Sequence, residues 1–127
     1  MILLIDTHAL IWFFNGDKAI SLEGKKAIKN PKYEKCVSVA SIWEIAVKMS
    51  LGKLQFDKGL IGLAKLIEDN GFMLLPVTFE HAFKVATLEF IHRDPFDRML
   101  VAQAIADKLV IVTKDPHIQQ YKVKTIW

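Results

Sequence analysis

The sequence contains almost nothing that would crosslink the chain or anchor it in a membrane. Cys36 is the only cysteine among 127 residues, so no disulfide can form within the chain. It belongs to the apolar run Cys36–Val39, where we expect a buried thiol in a reducing compartment. No apolar run approaches the roughly 18 to 20 residues that span a bilayer, and the start, MILLID, lacks a basic leader. These absences predict a cytoplasmic protein.

The residue patterns of several cofactor sites are also missing. The six glycines are scattered, so no glycine-rich phosphate loop is present. No serine stands in the setting of a nucleophile elbow. The four histidines have no close paired spacing and no cysteine cluster beside them. The sequence therefore disfavours nucleotide cofactors, covalent serine catalysis and zinc.

The composition is typical of a single globular domain, which we expect to cover residues 1–127. Hydrophobic residues make up 52% of the chain and charged residues 24%. Seventeen Lys and Arg against fourteen Asp and Glu give a net charge of +3, a mild preference for polyanionic partners. Many basic proteins bind no nucleic acid, so the charge only supports a function that a site must define.

Short β-branched runs alternate with helix-length segments along the chain. This alternation predicts an α/β fold, with a mainly parallel, roughly five-stranded sheet covered by helices on both faces as a three-layer α/β/α sandwich. Gly16 is expected to end the first helix, which begins near His8. The predicted strands are Ile2–Ile5, Cys36–Val39, Phe72–Leu75, Leu109–Val112 and Val123–Ile126.

Two acidic residues follow predicted strands. Asp6 comes directly after the first strand, and Asp115 follows the fourth after Thr113 and Lys114. Because ligands bind outside the carboxyl ends of parallel strands, both acids should lie at one functional edge of the sheet. Each has an alternative role as a helix N-cap.

A third acid opens a later helix. Asp94 is expected to be its N-cap, with Pro95 in the first turn. Asp97 shares a helix face with apolar residues such as Leu100 and Val101. A carboxylate on a buried face is costly unless it is paired, hydrogen-bonded or bound to a metal, which favours a functional role for Asp97.

Glu44 has the weakest pattern of the candidate acids. The apolar stripe of its predicted helix includes Ile42 and Ile45, so Glu44 should point elsewhere, together with Lys48. A solvated ion pair with Lys48 or a capping box with Ser41 would explain it. Only its position after the second strand makes it a candidate for the same edge.

Carboxylates gathered at one edge would need a cation. Two of them about 4 Å apart repel by roughly 4 kcal/mol at an effective dielectric constant of about 20. Oxygen ligands alone suit hard cations such as Mg²⁺ or Mn²⁺. One or two such ions would activate water and stabilise an in-line displacement at phosphorus.

Four segments occur here in the order in which a known family has them. They are LIDTHALIW at residues 4–12, SIWEIAVK at 41–48 with GKL at 52–54, DPFDRMLVAQA at 94–104, and VTKD at 112–115. The chain resembles a PIN-domain ribonuclease and, within that family, the VapC toxin of a type II toxin–antitoxin module, as far as KTIW at 124–127. The resemblance implies the strand order 3-2-1-4-5 and an endoribonuclease that leaves a 5′-phosphate and a 3′-hydroxyl.

The resemblance also assigns residues and partners. It implies Mg²⁺ or Mn²⁺ as cofactor. Asp115 would either coordinate the ion directly or contact the residues that coordinate it. The implied partners are an RNA substrate, a cognate VapB-type antitoxin and a second copy of the chain. The catalytic and metal-binding candidates are Asp6, Glu44, Asp97 and Asp115, and the candidates for RNA contact are Thr7, Lys48, Arg98, Thr113 and Lys114.

Aromatic residues are unusually dense on the first predicted helix. Trp12, Phe13 and Phe14, together with Trp43 and Val47 of the helix around Glu44, would either line a groove for an antitoxin or belong to the core.

Two other functions fit a domain of this size. A receiver domain also binds Mg²⁺ at an acidic site, but it needs two adjacent acids after the first strand, and Asp6 is followed by Thr7 and His8. A non-catalytic RNA-binding scaffold would leave four retained acids unexplained. Phosphorylation by acetyl phosphate would identify a receiver.

Overall fold

The computed structural model describes residues 1–127 as a five-stranded sheet between two layers of helices. All four strand pairings are parallel, and the order across the sheet is β3-β2-β1-β4-β5. The strands are β1 (Ile2–Ile5), β2 (Glu34–Ser38), β3 (Met73–Leu75), β4 (Val110–Val112) and β5 (Lys124–Ile126). The helices are α1 (Thr7–Asn15), α2 (Leu22–Lys29), α3 (Val39–Ser50), α4 (Gly59–Asp69), α5 (Phe79–Thr87) and α6 (Pro95–Asp107), with a 3₁₀ turn at Ile118–Gln120.

The predicted fold class and strand order are confirmed, and the strand bounds differ by one or two residues. The second strand starts at Glu34, because the parallel ladder pairs Ile2 with Glu34 and so extends beyond the apolar run. It ends at Ser38, whose side chain accepts the Ala40 N–H at 3.0 Å and starts α3. The apolar run therefore marks where the strand is buried, and the cap marks where it ends.

The central strand β1 is buried on both faces of the sheet, which is why it is one continuous apolar run. Leu3 and Ile5 pack with residues of α1 to α4 on one face. Leu4, on the other face, packs with residues of α6 and of the 3₁₀ turn. Two helical layers thus hold the strand ends in a fixed arrangement.

Two of the α1 aromatics belong to the edge of this core. Phe13 and Phe14 both pack against Phe72, with ring centroids 6.2 and 5.5 Å from its ring. Of the two alternatives, Phe13 and Phe14 therefore follow the core, while Trp43 on α3 is 63% exposed. None of the helices combines the length and hydropathy needed to cross a bilayer.

Candidate active site

Asp6 lies at the carboxyl end of β1 and is buried. Its Oδ1 accepts the Ala9 N–H at 2.8 Å, so the predicted N-cap role is confirmed. Burial raises the pKa of the Asp6 carboxyl above its usual range, while hydrogen bonds from Thr113 and Ala9 act in the opposite direction. Asp6 therefore combines a structural cap with a desolvated carboxyl group at the predicted edge.

Glu44 is buried, which corrects the expectation of a solvated side chain. It is 2% exposed, and its Oε1 accepts the Thr7 hydroxyl at 2.7 Å. Its Oε2 accepts Lys48 Nζ at 2.6 Å, so the predicted pair with Lys48 is present. The capping box with Ser41 is not, because Ser38 is the N-cap of α3. Glu44 is covered because α3 packs against α1 and α6 as well as against the sheet.

Asp97 stands in the first turn of α6 with a side chain that is 17% exposed. Burial raises the pKa of its carboxyl to about 8, and neighbouring carboxylates add to the rise. Those neighbours are, in decreasing order of effect, Asp94, Asp115, Glu44 and Asp6. The predicted acids therefore surround Asp97, and their charges oppose its ionisation. Asp94 is the N-cap of α6, as predicted.

Asp115 follows β4 and organises the turn behind it. Its Oδ1 accepts the His117 N–H at 2.7 Å, and its own N–H donates to Thr113 Oγ1 at 3.0 Å. The alternative role of Asp115 as a helix N-cap is not found, because only a 3₁₀ turn at Ile118–Gln120 follows and its N-cap is His117. The carboxyl group remains partly exposed at the edge.

The five residues predicted to contact RNA fall into two groups. Thr7, Arg98 and Thr113 are buried, so the prediction that their side chains contact RNA is wrong for this conformation. Thr7 holds Glu44, and Thr113 lies between Asp6 and Asp115. Lys114 is exposed and Lys48 is one-third exposed, so these two cations can reach a bound polyanion.

Arg98 is a structural residue in this fold. Its Nη1 donates to the Glu89 carbonyl at 2.9 Å and to the Tyr121 hydroxyl at 3.1 Å. Its guanidinium also lies 4.0 Å from the centroid of the Phe90 ring. These contacts fix the segment that precedes α6, and with it the position of Asp97.

Sequence reasoning missed the groups that flank Asp97. His92 Nε2 lies 3.3 Å from Asp97 Oδ2, and His92 Nδ1 lies 2.9 Å from the Tyr121 hydroxyl. The His92 ring stacks on His117 at 5.2 Å, and burial lowers the pKa of His92. No spacing in the sequence indicates this cluster, because His92 and His117 lie on different loops that meet only in the fold.

The carboxylate oxygens are of the type that binds a divalent cation, but in this structure they are not arranged around a common point. No group of three or more His, Cys, Asp or Glu side chains is placed to hold a metal ion. Oxygens of Asp6 and Glu44 already accept an N–H, a hydroxyl and an ammonium group. Yet the set offers carboxylate oxygens only, and their mutual repulsion raises the pKa of Asp97. Such a donor set fits a hard divalent cation.

The sequence matches the family model of the PIN domain over residues 3–124. The chain belongs to the PIN-domain family. PIN domains are generally nucleases that use divalent metal ions. No curated protein has a detectable match to the chain.

Solved structures of other proteins have the same fold. VapBC2 from Rickettsia felis, bound to a DNA fragment from its promoter, superposes with a TM-score of 0.74 at 11% identity, covering 98% of this chain and 97% of that one. VapBC-1 from nontypeable Haemophilus influenzae gives 0.72 at 13% identity, covering 98% and 96%. FitAcB from Neisseria gonorrhoeae gives 0.62 at 19% identity, covering 98% and 96%.

The fold also decides against a receiver domain. Receiver domains have the strand order 2-1-3-4-5, in which β1 lies between β2 and β3. Here β1 lies between β2 and β4, and β3 is an edge strand. The acids therefore lie near the ends of β1, β2 and β4 in a sheet whose strand order is not that of a receiver domain. This excludes the receiver alternative.

Proposed function

We propose that this protein is a divalent-cation-dependent endoribonuclease and the toxin of a toxin–antitoxin module. The observation that supports it best is the proximity of Asp6, Glu44 and Asp115 to Asp97 in a PIN fold, where burial and these neighbouring charges raise the pKa of Asp97 to about 8. A buried cluster of like charges is costly without a cation or a reaction that uses it.

The side chains have different tasks in this proposal. Asp6, Glu44 and Asp97 would hold Mg²⁺ or Mn²⁺, with Asp115 as a direct ligand or a group behind the ligands. When bound, the ion would supply charge stabilisation at the scissile phosphate and make a water molecule more acidic. Lys48 would exchange its bond to Glu44 for a phosphate as RNA binds.

Buried hydroxyl groups would keep the acids in position. Thr7 donates to Glu44 Oε1 from the first residue of α1, directly after Asp6. Thr113 accepts the Asp115 N–H and bonds to Asp6, so it links two strand ends. These contacts would limit the rotation of the Glu44 and Asp6 carboxylates and hold the backbone of Asp115 before substrate arrives.

The partner we propose is a small antitoxin, since VapBC structures are among those with the same fold. A largely apolar cavity of about 620 Å³ lies between α3, the 85–93 segment and α6. Trp43 stands at its edge, 63% exposed and in edge contact with Phe96 at 5.1 Å. An apolar segment of an antitoxin would fit there. Homodimerisation stays a prediction.

The catalytic proposal is tested by cleavage of single-stranded RNA. We expect cleavage in Mg²⁺ or Mn²⁺, none in EDTA, and a loss of at least about a hundredfold in kcat/KM for Asp6→Ala and Asp97→Ala. Glu44→Ala should follow them. Asp69→Asn, which changes an exposed acid at the end of α4, is the matched control and should cleave normally. Cleavage that persists in EDTA or in Asp97→Ala would refute the assigned site.

A further inference from the structure

Partly exposed tryptophans and exposed basic side chains lie beside the acids, where α1 and the segments after β4 and β5 meet. His8 is exposed, two residues after Asp6, and its ring centroid lies 5.6 Å from that of Trp12. Trp12 lies 5.9 Å from Trp127, the residue after β5. Lys114, next to Asp115, places its ammonium 5.9 Å from the Trp12 ring centroid.

The Trp12 side chain lies outside both core clusters, whereas Trp127 packs against the first of them. Trp12 is partly exposed, and it is absent from the residues that pack against either core cluster, whereas its neighbours Phe13 and Phe14 pack there. Its ring is tilted by 33° from His8 and by 56° from Trp127, so neither contact is a near-parallel stack like that of His117 on His92 at 14°. An aromatic face in this position is available to a flat ligand.

The charge around these rings favours a polyanion. Lys114 is exposed, and α2, whose Gly24 packs beneath Trp127, has three further exposed lysines. They are Lys25, Lys26 and Lys29. Aromatic faces that stack bases and cations that contact phosphates are the combination by which proteins bind single-stranded nucleic acid.

We infer that His8, Trp12, Lys114 and Trp127 form a base-stacking platform that binds the single-stranded RNA next to the cleaved phosphodiester. The inference rests on the proposed nuclease function, because the acids define where the chain would be cut. Trp12 would stack on a base, and Lys114 would contact the adjacent phosphate. A stacked base adds affinity without strict sequence preference, since every base offers a flat face.

The test is a binding measurement that requires no cleavage. A fluorescein-labelled single-stranded RNA of about ten nucleotides, and an abasic ribose-phosphate strand of the same length, are titrated in EDTA and followed by anisotropy. The variants are Trp12→Ala, Trp12→Phe and Lys114→Ala. Phe79→Ala is the control, because Phe79 is an exposed aromatic residue after the opposite edge strand. Melting temperatures show that each variant is folded.

Each variant has its own expected signature. Trp12→Ala should weaken binding of the RNA by about five- to a hundredfold and leave binding of the abasic strand unchanged. Trp12→Phe should restore most of the affinity. Lys114→Ala should weaken both strands and reduce the slope of log K against log salt by about 0.7. Phe79→Ala should bind both strands as the wild type does.

The inference is overturned if Trp12→Ala binds both strands as tightly as the wild type, which would leave this surface to a protein partner. It is also overturned if the folded variant loses affinity for both strands equally. The experiments distinguish failure of this inference from failure of the proposed nuclease function. Wild-type cleavage with an inert Trp12 removes only the platform, while base-dependent binding without cleavage in Mg²⁺ or Mn²⁺ removes only the nuclease.

Discussion

Glu44 and Asp97 are two buried carboxyl groups at the same edge of the sheet, and their surroundings are opposite. The Glu44 carboxylate accepts hydrogen bonds from the Thr7 hydroxyl and the Lys48 ammonium, so its charge is compensated within the protein. Asp97 has one side-chain partner, His92 at 3.3 Å, and four acids nearby that oppose its ionisation. The charge of Glu44 is therefore compensated within the fold, whereas the surroundings of Asp97 oppose its charge.

The largest expected effect comes from adding a divalent cation, whose positive charge would compensate the acids around Asp97. A divalent cation that binds only the folded state should stabilise it by about 2.7 kcal/mol when its concentration is a hundredfold above Kd. Melting curves in EDTA and in millimolar Mn²⁺ should therefore differ for the wild type, and much less for Asp97→Asn. An equal shift in both proteins would place the cation elsewhere.

Neutralising the two acids in turn should change stability in opposite directions. At neutral pH folded Asp97, with its pKa of about 8, holds a proton that the unfolded chain releases. Asp97→Asn removes the cost of binding that proton, so in EDTA it should raise the free energy of unfolding by about 2 kcal/mol. Glu44→Gln leaves Lys48 without its charged partner and should lower that free energy by about 1 kcal/mol. Urea unfolding measures both. Destabilisation by Asp97→Asn would mean that its charge is compensated after all.

The pH dependence of stability should show the same asymmetry. The native pKa of Asp97 is about 8 against 3.8 for the free side chain, so the folded state binds the extra proton between these values. Stability in EDTA should therefore fall as pH rises from about 4 to about 8. The raised pKa of Asp6 acts in the same direction. Asp97→Asn, measured in parallel, should fall less, and coincident curves would contradict the assignment.

The smallest effect concerns the hydroxyl that holds Glu44. Thr7→Val keeps the shape of the side chain and removes its hydrogen bond, which should cost about 1 kcal/mol of stability. RNA cleavage should fall as well, because Glu44 loses the contact that orients it. Thr87→Val is the control, since that exposed hydroxyl bonds only to carbonyls of its own helix. No change in stability would show that Lys48 alone positions Glu44.

Sequence patterns located the acids that follow strands better than the acid inside a helix. Asp6 and Asp115 follow β1 and β4 directly, so the rule for parallel strand ends places them, and the apolar stripe of α6 indicates Asp97. The burial of Glu44 depends on α1 and α6. Its partner Thr7 on α1 is 37 residues away in the chain, and α6 begins only at Pro95. A periodicity within one helix cannot include such a neighbour.

Local sequence patterns also could not predict the side chains around Asp97, for a related reason. His92, His117 and Tyr121 come from two loops that the sheet topology brings together, and Arg98 bonds to carbonyls of a segment that has no regular structure. A motif such as DPFDR indicates that Asp97 and Arg98 matter. It does not distinguish the carboxylate at the edge from the guanidinium that supports it.

The acids and Trp127 follow strands with different positions in the sheet, so we expect them to differ in mobility. Asp6, Glu44 and Asp115 follow β1, β2 and β4, which have a partner strand on both sides, whereas Trp127 follows the outermost strand β5. Amides in edge strands open and exchange with solvent more readily than those in central strands. The acids, and with them His8, Trp12 and Lys114, would therefore keep their spacing while Trp127 alone loosens and settles again. The proposed platform would then adapt to RNAs of different shape on the Trp127 side only.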